Sequence, residues 1–170
     1  MNRFFLFCSL IFSVVMFSQQ KETEIDLTQL KTKILQLVNE ERKSVAVASL
    51  TLDTFLLKAA EDHAKYIAKV QTLTHEQTNS KKANPKDRVY FYAGNDFSLV
   101  GENLLFTGIK NQIYSNEDLD ALALKMFELW KKSPNHLKNM INPKYTFTEI
   151  GFSIDSKNKK IYVVQLFGAK

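Results

Sequence analysis

The chain has 170 residues, of which 45% are hydrophobic and 24% charged, and its only cysteine is Cys8. This length and composition suit one globular domain and exclude a collagen-like, low-complexity or wholly disordered chain. A single cysteine excludes an intramolecular disulfide framework and every multi-cysteine zinc module. The net charge of +5 is spread along the chain, so it indicates neither nucleic-acid binding nor any particular acidic partner.

Residues 1–18 have the pattern of a cleaved secretory signal peptide. Arg3 supplies a positive start, Phe4–Phe17 is an apolar run, and a polar stretch follows at once. The alternative is a short membrane anchor, but a spanning helix needs roughly 20 apolar residues. Lipidation of Cys8 is disfavoured because the cysteine lies inside the apolar run. We therefore expect a secreted or periplasmic protein with no transmembrane span after cleavage and no cysteine in its mature chain.

Three long helices are predicted from apolar residues spaced three and four positions apart. The first covers Asp26–Lys43 and the second Asp53–Gln71, each with its aspartate as N-cap. The third follows a capping box formed by Ser115 and Asp118. The apolar stripes expected to face the core are Leu27, Leu30, Ile34, Leu37 and Val38, then Leu56, Ala60, His63 or Ala64 and Ile67, then Leu119, Leu122, Ala123, Met126 and Trp130.

Shorter elements fill the rest of the chain. Residues 44–50 are predicted as a loop or a very short strand, residues 76–86 as a surface loop, and Arg88–Ala93 as one or two helical turns. Ser133 and Pro134 open a short helix that ends before Pro143.

Two strand-like runs, Ile150–Ile154 and Ile161–Phe167, close the chain as a β-hairpin. Residues 26–170 contain no repeat and no linker, so the sequence predicts a single α+β domain.

The three histidines carry most of the chemical information. His63 lies within a predicted helix, where a packed and hydrogen-bonded structural role is the favoured interpretation. His75 follows that helix and is free to face a cleft. His136 lies in the first turn of the short helix, where the positive end of the helix dipole favours a neutral imidazole. Glu102 lies between two apolar runs, an environment that makes a carboxylate without a partner costly.

His75, Glu102 and His136 are the candidate site residues. Two imidazoles and one carboxylate would suit Zn²⁺ with an open coordination position, and they would equally suit an acid/base pair around a water. The spacing alone does not bring the three together. The sequence contains no GxSxG or HExxH motif and no phosphate-binding loop.

Several motifs, read in order, make the chain resemble the bacterial branch of the CAP superfamily, the SCP-like extracellular proteins. They cover most of residues 26–170 and are Leu37–Arg42, Leu52–Ala64, Thr74–Glu76, Asp87–Arg88, Gly101–Asn103, Trp130–His136, Asn142–Pro143, Thr148–Gly151 and Gln165–Gly168.

The resemblance implies an α–β–α sandwich whose open cleft is lined by histidines and acidic residues that hold a divalent metal in some members. His75 and Glu102 match two of the family's residues. Ser133 stands where eukaryotic members have a second acid, and residues 161–164 contain no histidine where those members have one. His136 follows a bacterial Ser-Pro-x-His pattern instead. Many eukaryotic members also carry disulfides, which this chain cannot form.

Three functions are compatible with these sequence features. The favoured one is a binding module for a divalent metal, a small or lipidic ligand, or a component of the cell envelope. The alternative is a metal-assisted or acid/base hydrolase that uses a water between His75 and His136, with Glu102 as base or ligand. The third is a structural extracellular domain. Binding is favoured because no activated nucleophile accompanies the three residues.

Overall fold

The computed structural model describes residues 23–170, so the predicted signal peptide lies outside the described residues. The elements in chain order are α1 (Leu27–Ser44), β1 (Thr51–Leu52), α2 (Thr54–Val70), α3 (Pro85–Phe91), β2 (Leu99–Gly108), α4 (Asn116–Lys131), α5 (Pro134–Met140), β3 (Phe147–Asp155) and β4 (Lys160–Ala169). Within this part of the chain, no helix is both long and apolar enough to cross a membrane.

The helix starts follow from local capping chemistry, and the three predicted long helices are confirmed. The Asp26 carboxylate accepts a hydrogen bond from the backbone N–H of Gln29 at 2.9 Å, and Asp53 caps α2 in the same way. Ser115 and Asp118 form the predicted capping box of α4. Each of these side chains satisfies backbone donors that have no partner inside the helix.

Several elements differ from the sequence prediction: β1 at residues 51–52 was not predicted, β3 begins at Phe147 rather than Ile150, and α3 and β2 differ most. Helix α3 begins at Pro85 rather than Arg88, because Asn84 and Asp87 form a capping box around that proline. Residues 99–108 form the ten-residue strand β2, which the sequence pattern did not predict. Glu102 and Asn103 interrupt the hydrophobic pattern in the middle of this strand, and both side chains are buried there.

The four strands form one sheet in the order β1-β3-β4-β2. Strand β1 is parallel to β3, and the other neighbours are antiparallel, including the predicted β3–β4 hairpin. Side chains of β4 alternate between two hydrophobic clusters, as the two-residue period of a strand requires. Ile161, Val163 and Phe167 pack with residues of α1, α4 and α5. Tyr162, Val164 and Leu166 pack with α2 and α3, so the predicted α–β–α sandwich is confirmed.

The close approach of α2 to the sheet depends on Gly151 in β3. A Cβ atom at this position would overlap the backbone of Ala60 and Glu61 in α2. Only glycine allows the helix to lie this near to the strand. His63 lies three residues further along α2, and its Nε2 lies 3.7 Å from the carboxylate of Glu102 in β2.

Candidate functional site

Glu102 is the centre of the candidate site. Its side chain projects from β2 and is only 1% exposed, yet it carries a carboxylate. The guanidinium Nη2 of Arg88 donates to Oε2 at 2.6 Å, and Nδ1 of His75 lies 2.8 Å from Oε1. Both carboxylate oxygens are therefore bonded to cationic or ionisable groups, which is how a buried charge is made tolerable.

Arg88 is fully buried in α3 and connects several segments around the site. Besides the ion pair with Glu102, its Nη1 donates to the carbonyl oxygens of His75 at 3.0 Å and Lys82 at 3.2 Å. The guanidinium thus fixes the backbone of the segment that carries His75 as well as the carboxylate that holds the His75 ring. The capping box at the start of α3 sets the position of this arginine on the helix.

His75 presents its ring at the surface of the site. Helix α2 ends where Gln71 adopts a left-handed conformation with φ of 56°, and the chain then turns toward β2. The side chain of His75 is 57% exposed although its Nδ1 contacts buried Glu102. The hydrogen bond to Glu102 raises the pKa of His75 above its ordinary value. Because Nδ1 is the ring nitrogen bonded to Glu102 and the side chain is exposed, Nε2 is the nitrogen left available to a ligand.

His63 has the structural role predicted for it. The side chain is fully buried, its Nε2 lies 2.7 Å from the carbonyl oxygen of Thr74, and its Nδ1 lies 3.1 Å from Nε2 of Gln77. Burial is the largest effect on its pKa, which is lowered. The ring lies behind Glu102, with 3.7 Å between Nε2 and Oε1, and supports the residue that precedes His75.

His136 belongs to α5, which is attached directly to β2. The side-chain amide of Asn103 donates to the carbonyl oxygen of His136 at 3.0 Å. Asn139 donates to the carbonyl oxygen of Glu102 at 3.2 Å and to the side chain of Asn103 at 2.9 Å. These bonds attach α5, through the His136 backbone and the Asn139 side chain, to Glu102 and Asn103 of β2.

The imidazole of His136 is half-buried, and its buried Nδ1 has no hydrogen-bond partner within residues 23–170. Burial lowers the pKa of His136, and the charge of His75 lowers it further. The neutral form predicted from the helix position is therefore favoured, but for a different reason. Helix α5 has only seven residues, and Ser133 makes no side-chain cap to it.

Whether a metal ion fits this site depends on which nitrogen and oxygen atoms are free to coordinate it. Across residues 23–170, no group of three or more His, Cys, Asp or Glu side chains is arranged to hold a metal ion. Each oxygen of Glu102 already accepts a hydrogen bond, from Arg88 or from His75, which makes this carboxylate less available as a metal ligand. The atoms left to a ligand are Nε2 of His75 and the imidazole of His136. Imidazole nitrogens are ligands that divalent cations accept, and any further coordination positions would have to be filled by water or by a bound ligand.

Sequence reasoning missed the roles of two residues. Arg88 entered only as part of a motif, and Asn139 was not singled out. Their roles depend on contacts between segments distant in sequence, from α3 to β2 and from α5 to β2. The sequence around Asn84 contains a usable signal, since Asn-Pro-x-Asp is a helix start that would place Arg88 inside a helix.

The layered fold and this histidine–glutamate pair agree with the class that the sequence motifs indicated. A family model described as the cysteine-rich secretory protein family, CAP, matches residues 35–167. The chain therefore belongs to the CAP family. No curated protein matches the chain.

Solved structures share the fold. An outer surface protein of Borrelia burgdorferi is 24% identical with a TM-score of 0.70, and the alignment covers 86% of this chain and 97% of that one. An extracellular SCP-domain protein of Bacillus anthracis is 22% identical with a TM-score of 0.63, over 84% of this chain and 41% of that one. NaASP2, solved with Zn²⁺, is 17% identical with a TM-score of 0.52, over 85% of this chain and 83% of that one.

The histidine environments predict a definite order of titration. We expect His75 to titrate above 6.5 and both His136 and His63 below it. Because folding raises the pKa of His75, this residue contributes stability that is fully present below the pKa of histidine in the unfolded chain. The contribution is lost as pH rises through the raised value. Folding lowers the pKa of His136 and His63, so their contribution to stability is present at higher pH and is lost as pH falls through the lowered values. An NMR titration of the three ring Cε1–H signals measures the order, and a His75 pKa at or below that of His136 would contradict it.

Proposed function

We propose that the protein is a secreted or periplasmic binding module that holds a divalent cation between His75 and His136. In this proposal Glu102 does not ligate. It orients His75, as carboxylates commonly do for metal-bound histidines. The observation that carries the proposal is the hydrogen bond from His75 to a carboxylate that Arg88 already neutralises, because it fixes one ring nitrogen and leaves Nε2 free.

Two further features support this assignment. Burial lowers the pKa of His136, which favours the neutral imidazole, and this is the form that binds metal. The exposed ring of His75 is accessible to an ion from solvent, and the remaining coordination positions would be filled by water or by a ligand that the metal recruits. A bound cation would supply Lewis acidity or a bridge to an anionic ligand. NaASP2, which has the same fold, was solved with Zn²⁺, and this is consistent with a cation site in such proteins.

Calorimetric titration of the purified protein with ZnCl₂ tests the proposal. We expect one binding site, and we expect His75→Ala and His136→Ala each to weaken binding by about 100-fold or more, because losing a ligand costs at least as much as losing an orienting group. Binding should also weaken as pH falls through the raised pKa of His75, since metal competes with protons. Thr78→Ala, in the same loop, is the matched control and should bind Zn²⁺ as the unmodified protein does. Equal binding by all four proteins, or none by the unmodified one, would overturn the assignment.

The hydrolase alternative uses the same pair of residues in a different way. A neutral His75 oriented by Glu102 would present Nε2 as a general base toward a water molecule. Glu102 itself is a poor base in this arrangement, because both of its oxygens are already bonded. Hydrolysis therefore stays a prediction. If His75 is the general base, any activity against peptides or esters must be lost in His75→Ala.

A further inference from the structure

The outer edge of β3 is paired only at its start. Strand β1 has two residues and pairs with Phe147 and Thr148, so the rest of β3 has β4 as its only partner strand within residues 23–170. Residues 152–155 are half-buried rather than buried. A strand edge of this kind presents backbone N–H and C=O groups that can pair with another extended chain. The open edge of β3, meaning residues 150–155, is therefore a place where a partner can bind.

The backbone groups on this edge divide into capped and free ones. Alternate residues of an antiparallel strand direct their N–H and C=O groups away from the partner strand, and in β3 these are Ile150, Phe152 and Ile154. The N–H of Ile150 donates to the carboxylate of Glu149 at 3.1 Å, and Nζ of Lys31 donates to the same oxygen at 3.0 Å. Among the described residues, no such cap covers Phe152 or Ile154. Their N–H and C=O groups are left to water or to a partner.

A small cavity lies against this edge. It encloses about 110 Å³ and is lined by Ile150 and Phe152 of β3 and by residues of α1 and α2, which are Leu27, Thr28, Lys31, Leu57 and Glu61. Helices α1 and α2 pack on opposite faces of the sheet, so a space that touches both of them can lie only beyond the edge of the sheet. This volume is about that of three to four liquid waters, which is enough for one side chain of an added strand.

The unpaired charge at this cavity is negative. Lys31 is the only basic residue that lines it, and that ammonium group is engaged by Glu149. Glu61 is exposed on α2 and forms no ion pair with another described residue. Successive side chains of a strand face opposite sides of the sheet, so an added strand would contact Leu27 and Phe152 on the α1 side and Glu61 on the α2 side. This favours an extended segment in which apolar and basic residues alternate.

We propose that the open edge of β3 binds an extended segment of a partner polypeptide in which apolar and basic residues alternate. The segment adds a strand to the sheet, accepting hydrogen bonds from the N–H groups of Phe152 and Ile154 and donating to their C=O groups. One apolar side chain enters the cavity, and a lysine or arginine lies against Glu61. Strand β4 lies between this edge and β2, which carries Glu102. The proposal therefore goes beyond the cation site, and either of the two can fail without the other.

Titration of the protein with the capped peptide Thr-Val-Lys-Val-Lys-Val-Thr, followed by calorimetry and amide hydrogen exchange, tests this site. We expect saturable binding that slows exchange of the Phe152 and Ile154 amides by about tenfold or more, because these N–H groups become bonded only when a strand is added. The amides of Gly151 and Ser153 face β4 in the existing ladder, so their exchange should change little.

A charge reversal at Glu61 tests the side-chain contact. Glu61→Lys should weaken binding of this peptide by about fivefold or more, because like charges then face each other. The same variant should improve binding of a peptide with glutamate in place of lysine. Glu40→Lys makes the same change of charge at an exposed position of α1 that does not line the cavity, and it should leave both affinities unchanged. His75→Ala should bind the lysine peptide normally, so this test is independent of the metal titration.

Four results would overturn the proposal. One is the absence of saturable peptide binding. A second is binding that leaves exchange of the Phe152 and Ile154 amides unchanged, which would locate the peptide elsewhere. A third is equal weakening by Glu61→Lys and Glu40→Lys, which would mean that net charge controls binding. The fourth is protection of the two amides that rises with protein concentration in the absence of peptide, which would show that a second copy of the chain occupies the edge.

Discussion

Replacing Arg88 by methionine is expected to lower the free energy of unfolding by about 3–5 kcal/mol, because it leaves the Glu102 carboxylate buried without its strongest partner. Arg88 is fully buried and lies 2.6 Å from a carboxylate oxygen of a side chain that is itself almost wholly shielded from water. Methionine fills a similar space, so the loss reflects the charge and not a cavity. Urea unfolding followed by circular dichroism measures the change.

A surface ion pair provides the matched comparison for this prediction. Lys132 and Glu128 are separated by one helical turn and 3.9 Å, with both side chains exposed. Lys132→Met should change the free energy of unfolding by less than about 1 kcal/mol. The double variant Arg88→Met/Glu102→Leu should lose less stability than the sum of the two single variants, since it removes both charges. If Arg88→Met costs no more than Lys132→Met, the ion pair does not hold the site together.

Local chemistry explains why the helices could be predicted from the sequence. The starts at Asp26, Asp53 and Ser115 each depend on a side chain within three residues of the backbone groups that it caps. The buried stripe of α4 follows in the same way from the helical period. Such features involve neighbours in sequence, so no knowledge of the tertiary structure is required to find them.

The strand β2 shows where this local reasoning ends. Its central residues, Glu102 and Asn103, are polar, and the alternating pattern expected of a strand is lost there. They are buried because Arg88 and Asn139 approach from opposite faces of the sheet and satisfy their polar atoms. Only the tertiary structure supplies those partners. The positions at which the pattern fails are therefore the positions that build the candidate site.

The three candidate residues were chosen from the chemistry of their side chains and from the family resemblance. The structure gives them different roles. The sequence singled out His75, Glu102 and His136 as equal members of a set. In the structure His75 contacts Glu102 directly, while His136 is linked to the same strand through its backbone and Asn103. The difference between a ligand and an orienting residue depends on which lone pairs are already occupied, and spacing along a sequence does not contain that information.

The described residues have no cysteine, so the fold needs other means to fix its irregular segments. Arg42 provides one. It is 1% exposed at the end of α1, and it donates four hydrogen bonds to carbonyl oxygens of Ala48, Met140, Asn142 and Tyr145. Burial lowers the pKa of this guanidinium. The cost of burying the charge is offset because each carbonyl presents its negative end to the fork of N–H donors.

Replacing Arg42 by methionine is therefore expected to lower the free energy of unfolding by about 3–5 kcal/mol, since at least two of the carbonyls are buried and would lose their only charged donor. Urea unfolding gives the magnitude. Amide hydrogen exchange gives the location, and protection should fall most in the segment between α5 and β3.

Two substitutions separate the geometry of Arg42 from its charge. Arg42→Lys keeps the charge but offers one compact ammonium group in place of a planar fork, so it should recover less than half of the lost stability. Lys43→Met removes a charge from the next position of α1, where the side chain is exposed, and should change stability by less than about 0.5 kcal/mol. Full recovery by lysine would mean that charge alone suffices. A loss in Arg42→Met as small as that in Lys43→Met would mean that the connection from α1 to the segment after α5 does not depend on this guanidinium.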